Sequence, residues 1–322
     1  MATSTSRRTS PTALRPLAVE LGTLSRSDAS ASFAFGPVKV VAGLTGPSEV
    51  RIRDELTDRA TLDIQYQPLN GVAGIPSKSL ADSFITAFSS VLLLHHYPRS
   101  LVQVILQTLS SPQPPISTIS TSRPTDGSQG YRPRQPLLLG PDEPPSVAEK
   151  AALINAASLA LLDGGIPARG SVAACSCAIL PALEGSVLRE NSHISEISHV
   201  QLRELVRQKK QAQGLSDDTD VNGSEGLRQY TGDTIVLLDP TPTELSYALS
   251  THLFAFFFSG KEAQSEESTQ SLESEQILAE SLGGVDIEDL QRAQSLCLEA
   301  SKSILDFLRQ ALQKRVLSQA SR

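Results

Sequence analysis

Residues 151–177 constrain the fold of this chain more than any other segment. They begin with an apolar helix, which ends at the turn Gly164-Gly165-Ile166-Pro167. A nearly all-apolar strand follows from Val172 to Leu180. A helix that is apolar on every side has to be buried, and a strand of this kind is covered on both faces. The segment therefore predicts the centre of a layered domain that contains both helices and sheets.

Hydrophobic periodicity predicts further elements on both sides of this segment. Before it, they are strands within 31–66 with a turn at Gly46-Pro47, a helix over 80–94 and a strand over 101–107. The central helix itself starts at Ser146, in a capping box with Glu149. After it, they are a strand at 234–239, a strand over 245–258 with a helix as the alternative, and a long helix from Asp286 to Arg315. Strands that alternate with helices predict an α/β (α+β) domain.

Four segments have a composition that does not favour packed structure. They are a Ser/Thr/Arg-rich N-terminus (1–16), two polar insertions near 111–145 and 209–232, and an acidic linker at 261–282. Segments of this kind bury too little apolar surface to offset the entropy lost on ordering. We therefore expect one domain over residues 17–315, interrupted by two disordered insertions.

The overall composition limits the classes of function. The formal net charge of −7 and the pI of about 5.3 differ from the basic character typical of a free-standing nucleic-acid binder. No segment approaches the roughly 18 apolar residues of a membrane helix. The three cysteines, Cys175, Cys177 and Cys297, indicate neither a disulfide framework nor a set of metal ligands, and we expect buried thiols in a reducing compartment. Nothing in the sequence indicates a cofactor.

Three segments resemble the RNase PH family. Residues 30–47 resemble its opening hairpin, Ile154-Asn-Ala-Ala-Ser-Leu-Ala-Leu-Leu-Asp-Gly-Gly-Ile-Pro resembles its central helix, and Ile235-Val-Leu-Leu-Asp-Pro-Thr resembles a later strand and turn. Within the family, the exosome branch is the most similar. The resemblance implies an RNase PH-like domain with the β-α layers of ribosomal protein S5 domain 2, closed by the C-terminal helix.

The resemblance also implies partners. These are other RNase PH-like subunits in a hetero-hexameric ring, RNA-binding cap subunits, and RNA, with no membrane. The implied location is the nucleus and nucleolus, and also the cytoplasm.

The positions that the resemblance assigns to catalysis are degraded in this chain. Active members use inorganic phosphate to attack RNA, which requires cationic groups, backbone N–H donors and a carboxyl group. The resemblance places the phosphate turn after the central helix, where this chain has Gly165, Ile166 and Pro167. Asp239 remains at the first acidic position, and Leu245 stands at the second.

The helix predicted at 80–94 also lacks the arginines of active members, since no Lys or Arg occurs from Ser79 to Pro98. Basic residues elsewhere remain as candidate RNA contacts, although a basic residue in such a position is more often a solvated surface charge. They are Arg51, Arg53, Lys78, Arg99 and Arg169. Arg51 and Arg53 share one face if their segment is extended.

The sequence therefore predicts a non-catalytic structural subunit of the RNA exosome ring that contributes to 3′-5′ RNA processing and degradation, including rRNA maturation and mRNA turnover. One alternative is an active phosphorolytic or hydrolytic RNase that uses Asp239, Arg99 and Arg169. Another is an RNA-free adaptor that binds partners through the Pro-rich segment 111–145 and the C-terminal helix.

Overall fold

The computed structural model describes residues 11–112, 144–181, 187, 199–212, 234–245, 248–259 and 273–320. The predicted insertions near 111–145 and 209–232 lie largely outside the described residues. Within the described part of the chain, strands and helices form two sheets with helices packed between and outside them, so the α/β (α+β) prediction is confirmed.

The first sheet contains five strands, in the order β1-β2-β3-β5-β4. They are β1 (Leu17–Leu21), β2 (Ala29–Phe35), β3 (Val38–Glu49), β4 (Thr61–Gln67) and β5 (Ser100–Ser110). Only the pair β4–β5 is parallel. Helix α1 (Ile75–Val91) makes the crossover between these two strands and packs on β4 through Phe84, Phe88 and other buried side chains.

The second sheet contains four antiparallel strands, in the order β7-β6-β8-β9. They are β6 (Ser171–Pro181), β7 (Thr234–Leu238), β8 (Ser250–Ser259) and β9 (Glu273–Gly283). The central position of β6 explains its apolar sequence, because residues 172–180 are buried on both faces.

Helix α2 (Val147–Asp163) lies between the two sheets and contacts β2 and β3 on one side and β6 on the other. Two polar side chains of this helix bind the edge of β6 that β7 leaves uncovered. The Asn155 amide donates to the Ala174 carbonyl at 2.9 Å and accepts from its N–H at 2.8 Å, and Ser158 Oγ accepts from the Val172 N–H. The helix therefore holds the sheets together by apolar packing and by hydrogen bonds that would otherwise belong to a strand.

Three further helices complete the described fold. They are α3 (His199–Ala212), α4 (Pro242–Leu245) and α5 (Ile287–Ala320). Helix α5 packs on β6, β7 and β8 through Ala293, Cys297, Ile304 and their neighbours, and its apolar stripe is buried from Ala293 to Leu308. Near its C-terminal end, Arg315 Nε donates to Asp163 Oδ1 at 2.8 Å, which ties α5 to the last turn of α2.

Several predicted boundaries are wrong. Residues 11–16 of the predicted disordered N-terminus are ordered, because Pro11 accepts a hydrogen bond from Leu238 and Arg15 is buried. The second half of the predicted linker 261–282 is strand β9, whose acidic side chains suit a solvent-exposed edge next to β8. The predicted turn at Gly46-Pro47 lies inside β3, where the pairing with β5 shifts register.

The chain from 245 to 258 is not one long strand. Residues 242–245 form the short helix α4, and strand β8 begins only at Ser250. The solid apolar run Phe254 to Phe258 belongs to β8, as predicted, because this strand is covered by α2 and α5.

Candidate functional site: the two ends of helix α2 and a cationic surface

The turn that ends α2 uses its backbone donors internally. The N–H of Gly165 donates to the Leu162 carbonyl, and the N–H of Ile166 donates to the Leu161 carbonyl. Gly165 has a positive φ of 68°. These bonds define a Schellman motif, in which the residue after the helix adopts the left-handed conformation. The Ile166 side chain is buried in the core, so neither its backbone nor its side chain offers a group to an anion.

The next residues of this turn are bound to the end of α1. The Leu93 N–H donates to the Pro167 carbonyl at 2.9 Å, and the Arg169 N–H donates to the Val91 carbonyl at 3.0 Å. The Arg169 side chain is exposed. The turn therefore joins two helix ends and has a structural role.

The resemblance places the phosphate at this turn, and that placement stays a prediction. The C-terminal end of a helix is the negative end of the helix dipole, so the dipole of α2 does not help to hold an anion there, and binding would depend on side chains and free N–H groups. On electrostatic grounds, the better position for an anion along α2 is its first turn, at residues 146–149.

A buried carboxylate occupies that first turn. Glu149 is 5% exposed and accepts hydrogen bonds from Tyr66 (2.9 Å), Ser111 (3.0 Å) and Thr108. Ser146 caps the helix by accepting the Glu149 N–H, as predicted, but the Glu149 side chain turns to the two strands and does not reach back. Burial and the nearby Glu149 carboxylate raise the pKa of Tyr66, so this phenol is a stable hydrogen-bond donor.

The charge of Glu149 would repel an anion at the place where the helix dipole attracts one. Sequence reasoning missed this residue as a site feature, because a Glu three residues after a Ser is the ordinary signature of a capping box. Its hydrogen-bond partners come from β4 and from the end of β5, far from α2 in sequence.

The candidate acid Asp239 is fully buried in an ion pair. Its carboxylate accepts from Arg15 Nε at 2.6 Å and from Arg15 Nη2, and the Arg15 side chain is only 7% exposed. The Asp239 N–H donates to the Ser176 carbonyl at 2.8 Å. Asp239 therefore fastens the N-terminal segment to the end of β7 and is closed to solvent. Sequence reasoning missed Arg15 because it stands in a segment with the composition of a disordered tail.

Leu245 lies at the end of helix α4 and is half-buried. It packs against a small apolar cluster that contains Ala178, Leu180 and Leu237. A side chain in that position contributes to packing, and it supplies no acid beside Asp239.

The candidate RNA contacts separate into two groups. Lys78 lies in the first turn of α1 and lines a shallow groove with Ile75, Ser79 and Asp82. The other four lie on loops that converge near the junction of α1 and α2. They are Arg51, Arg53, Arg99 and Arg169.

Three loops form this convergence. The Arg99 N–H donates to the Leu56 carbonyl, and the Ala60 N–H donates to the Leu94 carbonyl, so the loop 51–60 is bound to the loop 92–100. The bonds of Pro167 and Arg169 to residues 91–93 add the third loop. We refer to these three loops, 51–60, 92–100 and 165–170, as the junction surface.

The expected geometry of Arg51 and Arg53 is wrong. Ile52–Asp54 form a turn of 3-10 helix, and the two arginines do not lie on an extended segment. Both are exposed, and Arg53 Nε lies 3.4 Å from Asp54 Oδ1. Arg99 has a positive φ of 59° and lies 3.3 Å from Glu55. Arg59 and Arg169 are also exposed on this surface.

The face of α1 that points to solvent carries hydroxyl groups. Ser83 and Thr86 donate to backbone carbonyls one turn earlier, and Ser79 lines the same groove as Lys78. Phe84 and Phe88 are fully buried on the opposite side. From Ser79 to its end, this helix therefore presents no cation to an RNA backbone.

The structure brings the three cysteines together in the core. Cys175 and Cys177 point from β6 to α5, where Cys297 lies, and all three are free and buried. Contacts with the two other thiols, together with burial, raise the pKa of Cys297. Within the described ranges, no group of three or more His, Cys, Asp or Glu side chains is arranged to hold a metal ion. None of the helices described here is long and apolar enough to cross a membrane.

Comparison with known proteins identifies the fold family. The family described as "3' exoribonuclease family, domain 1" (RNase PH) matches residues 13–167. This part of the chain belongs to the RNase PH family. The matched range includes the first sheet, α1, α2 and the turn after α2, and the predicted family membership is confirmed.

Curated relatives carry the names of exosome components. The chain is 31% identical over 157 residues to "Exosome complex component rrp46" of Schizosaccharomyces pombe, an alignment that covers 49% of this chain and 55% of the relative. It is 32% identical over 162 residues to "Exosome complex component RRP46" of Saccharomyces cerevisiae, which covers 50% of this chain and 60% of the relative. The matched part of the chain thus spans less than two thirds of the length of either yeast protein.

A crystal structure of rice (Oryza sativa) Rrp46 has the same fold. The TM-score is 0.61 at 20% sequence identity, and the match covers 94% of this chain and 97% of the rice chain. At that identity, the likeness extends the RNase PH-like architecture to the second sheet and to α5, and it concerns the fold alone.

Proposed function

We propose that this chain is a non-catalytic structural subunit of the RNA exosome ring. The relatives named as exosome components support assembly into such a ring. The observation that carries the non-catalytic role is the state of α2 and Asp239. The donors at the C-terminal end of α2 are bonded internally, a carboxylate fills its N-terminal end, and the candidate acid is buried against Arg15.

Phosphorolysis requires a different arrangement. Inorganic phosphate and the scissile phosphodiester are both anionic, so a catalyst has to hold them together with cations and N–H donors. A carboxyl group that handles the proton has to reach the leaving oxygen. In the described residues, Asp239 is buried and α1 presents hydroxyl groups after Lys78. These features support loss of the reaction with retention of the fold.

In this proposal, the chain contributes architecture. Its partners are other RNase PH-like subunits in a hetero-hexameric ring, RNA-binding cap subunits, and RNA that passes through a shared channel. The processes would be 3′-5′ RNA processing and degradation, including rRNA maturation and mRNA turnover, in the nucleus, nucleolus and cytoplasm. An acidic chain suits this role, because neighbouring subunits can supply the positive field that steers RNA.

The first test is affinity purification of the tagged full-length chain, followed by identification of the recovered proteins. We expect several different RNase PH-like chains in near-equal amounts. Recovery of the chain alone, or in complexes without such chains, would contradict the proposed assembly.

The second test asks whether the purified chain consumes phosphate. Single-stranded RNA is incubated with inorganic phosphate, and release of nucleoside diphosphates is measured. We expect none above the level of a preparation that carries Arg169→Gln, since this variant removes an exposed cation and leaves Asp239 paired. Phosphate-dependent release that the wild-type chain shows and the variant lacks would establish an active enzyme and refute the non-catalytic role.

A further inference from the structure

Two exposed histidines on the junction surface have their rings close together. The rings of His95 and His96 have centroids 4.3 Å apart and planes inclined by 34°. Helix α1 ends at Val91, and the histidines belong to a separate 3-10 turn, Leu94–His96.

The turn that carries these rings is held in place by a buried side chain and by backbone hydrogen bonds. Leu94 is buried in the core, and its carbonyl accepts the N–H groups of both Ala60 and Tyr97. The His96 N–H donates to the Leu93 carbonyl, and the Leu93 N–H donates to Pro167. Two exposed rings on an anchored turn lose little conformational entropy when a ligand stacks on them.

Cations flank the histidine pair on both neighbouring segments. Arg99 follows three residues after His96, and Arg169 lies on the loop that is bonded to residues 91–93. Within the loop 51–59, three arginines are balanced by three carboxylates, of which Glu55 pairs with Arg99 and Asp54 with Arg53. Arg99 and Arg169 therefore leave the junction surface positive, in a chain whose net charge is −7.

Arg99 also holds a costly backbone conformation. A positive φ in a residue other than Gly, Asn or Asp costs on the order of 1–3 kcal/mol, and such residues occur mainly at functional sites. The Arg99 side chain is 68% exposed, and Arg99 follows the histidine turn by three residues. Exposed rings next to guanidinium groups are the combination with which proteins bind single-stranded nucleic acid.

We propose that His95 and His96, flanked by Arg99 and Arg169, form a contact site for single-stranded RNA. One or two bases stack on the imidazole rings, and the guanidinium groups bind the adjoining phosphates. The proposal rests on the proposed exosome role for the identity of the ligand, and it adds a site that the candidate arginines alone do not define.

The test measures RNA affinity in the assembly recovered with the tagged chain. A fluorescein-labelled 20-nucleotide poly(A) RNA is titrated, and anisotropy gives Kd for the wild type, His95→Ala/His96→Ala, and His95→Phe/His96→Phe. Arg309→Gln serves as the control, because it removes an exposed arginine from α5. Thermal melting and subunit recovery of each variant show that the fold and the assembly persist, which separates this test from that of the proposed function.

We expect the alanine variant to bind at least about five-fold more weakly, because it loses the stacking of one base. The phenylalanine variant should stay within about two-fold of the wild-type Kd. Arg99→Asn, which tolerates the positive φ, and Arg169→Gln should each reduce the slope of log Kd against log salt concentration by about 0.7. Wild-type affinity in the alanine variant, absence of RNA binding by the wild type, or equal losses in the alanine and phenylalanine variants would overturn the proposal.

Discussion

The pairing of Arg15 with Asp239 gives the sharpest test of whether the remaining candidate acid is structural. Both side chains are removed from solvent, with exposures of 7% and 1%. Removal of one partner from a buried ion pair leaves an uncompensated charge and costs about 3–5 kcal/mol. We therefore expect Asp239→Asn and Arg15→Met each to lower the free energy of unfolding by about that amount. Asn is the matched replacement, since it keeps the shape of Asp and tolerates the φ of 48° at this position.

The double variant Arg15→Met/Asp239→Asn distinguishes pairing from general damage. It buries neither charge, so it should cost less than the sum of the two single variants, with a coupling of about 2 kcal/mol or more. Urea unfolding of the full chain, followed by far-UV circular dichroism, gives the three free energies. The control is Asp306→Asn on α5, whose partner Arg309 lies 3.9 Å away on the surface, and which should change stability by less than about 1 kcal/mol.

Two results would refute this reasoning. One is an Asp239→Asn variant as stable as the wild type, which would mean that the buried pair contributes nothing. The other is phosphate-dependent degradation of RNA by the wild-type chain that a stably folded Asp239→Asn variant lacks. That result would assign Asp239 to catalysis.

Three further predictions concern the same scaffold. Tyr66→Phe should lower the free energy of unfolding in urea by about 1–3 kcal/mol, because it takes one donor from the buried Glu149 carboxylate. The same variant should lose less stability than the wild type above about pH 10, because the raised pKa of Tyr66 keeps the phenol neutral in the folded chain while it ionises in the unfolded chain. Burial lowers the pKa of His252 below its ordinary value of 6.5, so the stability that depends on the neutral imidazole is present above pH 6.5 and is lost as the pH falls below it. His252→Gln should flatten the fall in stability measured between pH 7 and pH 5, and an unchanged slope would contradict this. Gly165→Ala should cost about 1–2 kcal/mol through backbone strain alone, because nothing lies within 4 Å of the added Cβ, whereas Gly284→Ala, equally open and without a positive φ, should be nearly neutral in the same unfolding assay.

The central elements could be predicted because their signals are local. The apolar run of α2, the turn at Gly164-Gly165 and the apolar strand β6 each follow from residues that are adjacent in sequence. The capping of α2 by Ser146 was predictable for the same reason. Such segments have no polar face, so their own sequence shows that they are buried on all sides.

The missed features depend on partners that are distant in sequence. Arg15 and Asp239 are 224 residues apart, and nothing local to Arg15 marks it as buried. Strand β9 was taken for a linker because its acidic side chains meet solvent at the sheet edge, so it lacks the apolar alternation of a covered strand. Its structure comes from pairing with β8, which the composition of the segment does not report.

The residues that carry the family resemblance in this chain are those that hold its two sheets together. Asn155, in the Asn-Ala-Ala run of the central helix, forms hydrogen bonds with both the N–H and the carbonyl of Ala174 at the open edge of β6. Asp239, in the Leu-Asp-Pro-Thr run, binds Arg15 and the Ser176 carbonyl. Loss of either would leave buried backbone or charge without a partner, at a cost that applies whether or not the domain catalyses a reaction. Similarity at these positions therefore reports the scaffold, and the proposed loss of activity rests on other observations, the closed turn after α2 and the burial of Asp239 against Arg15.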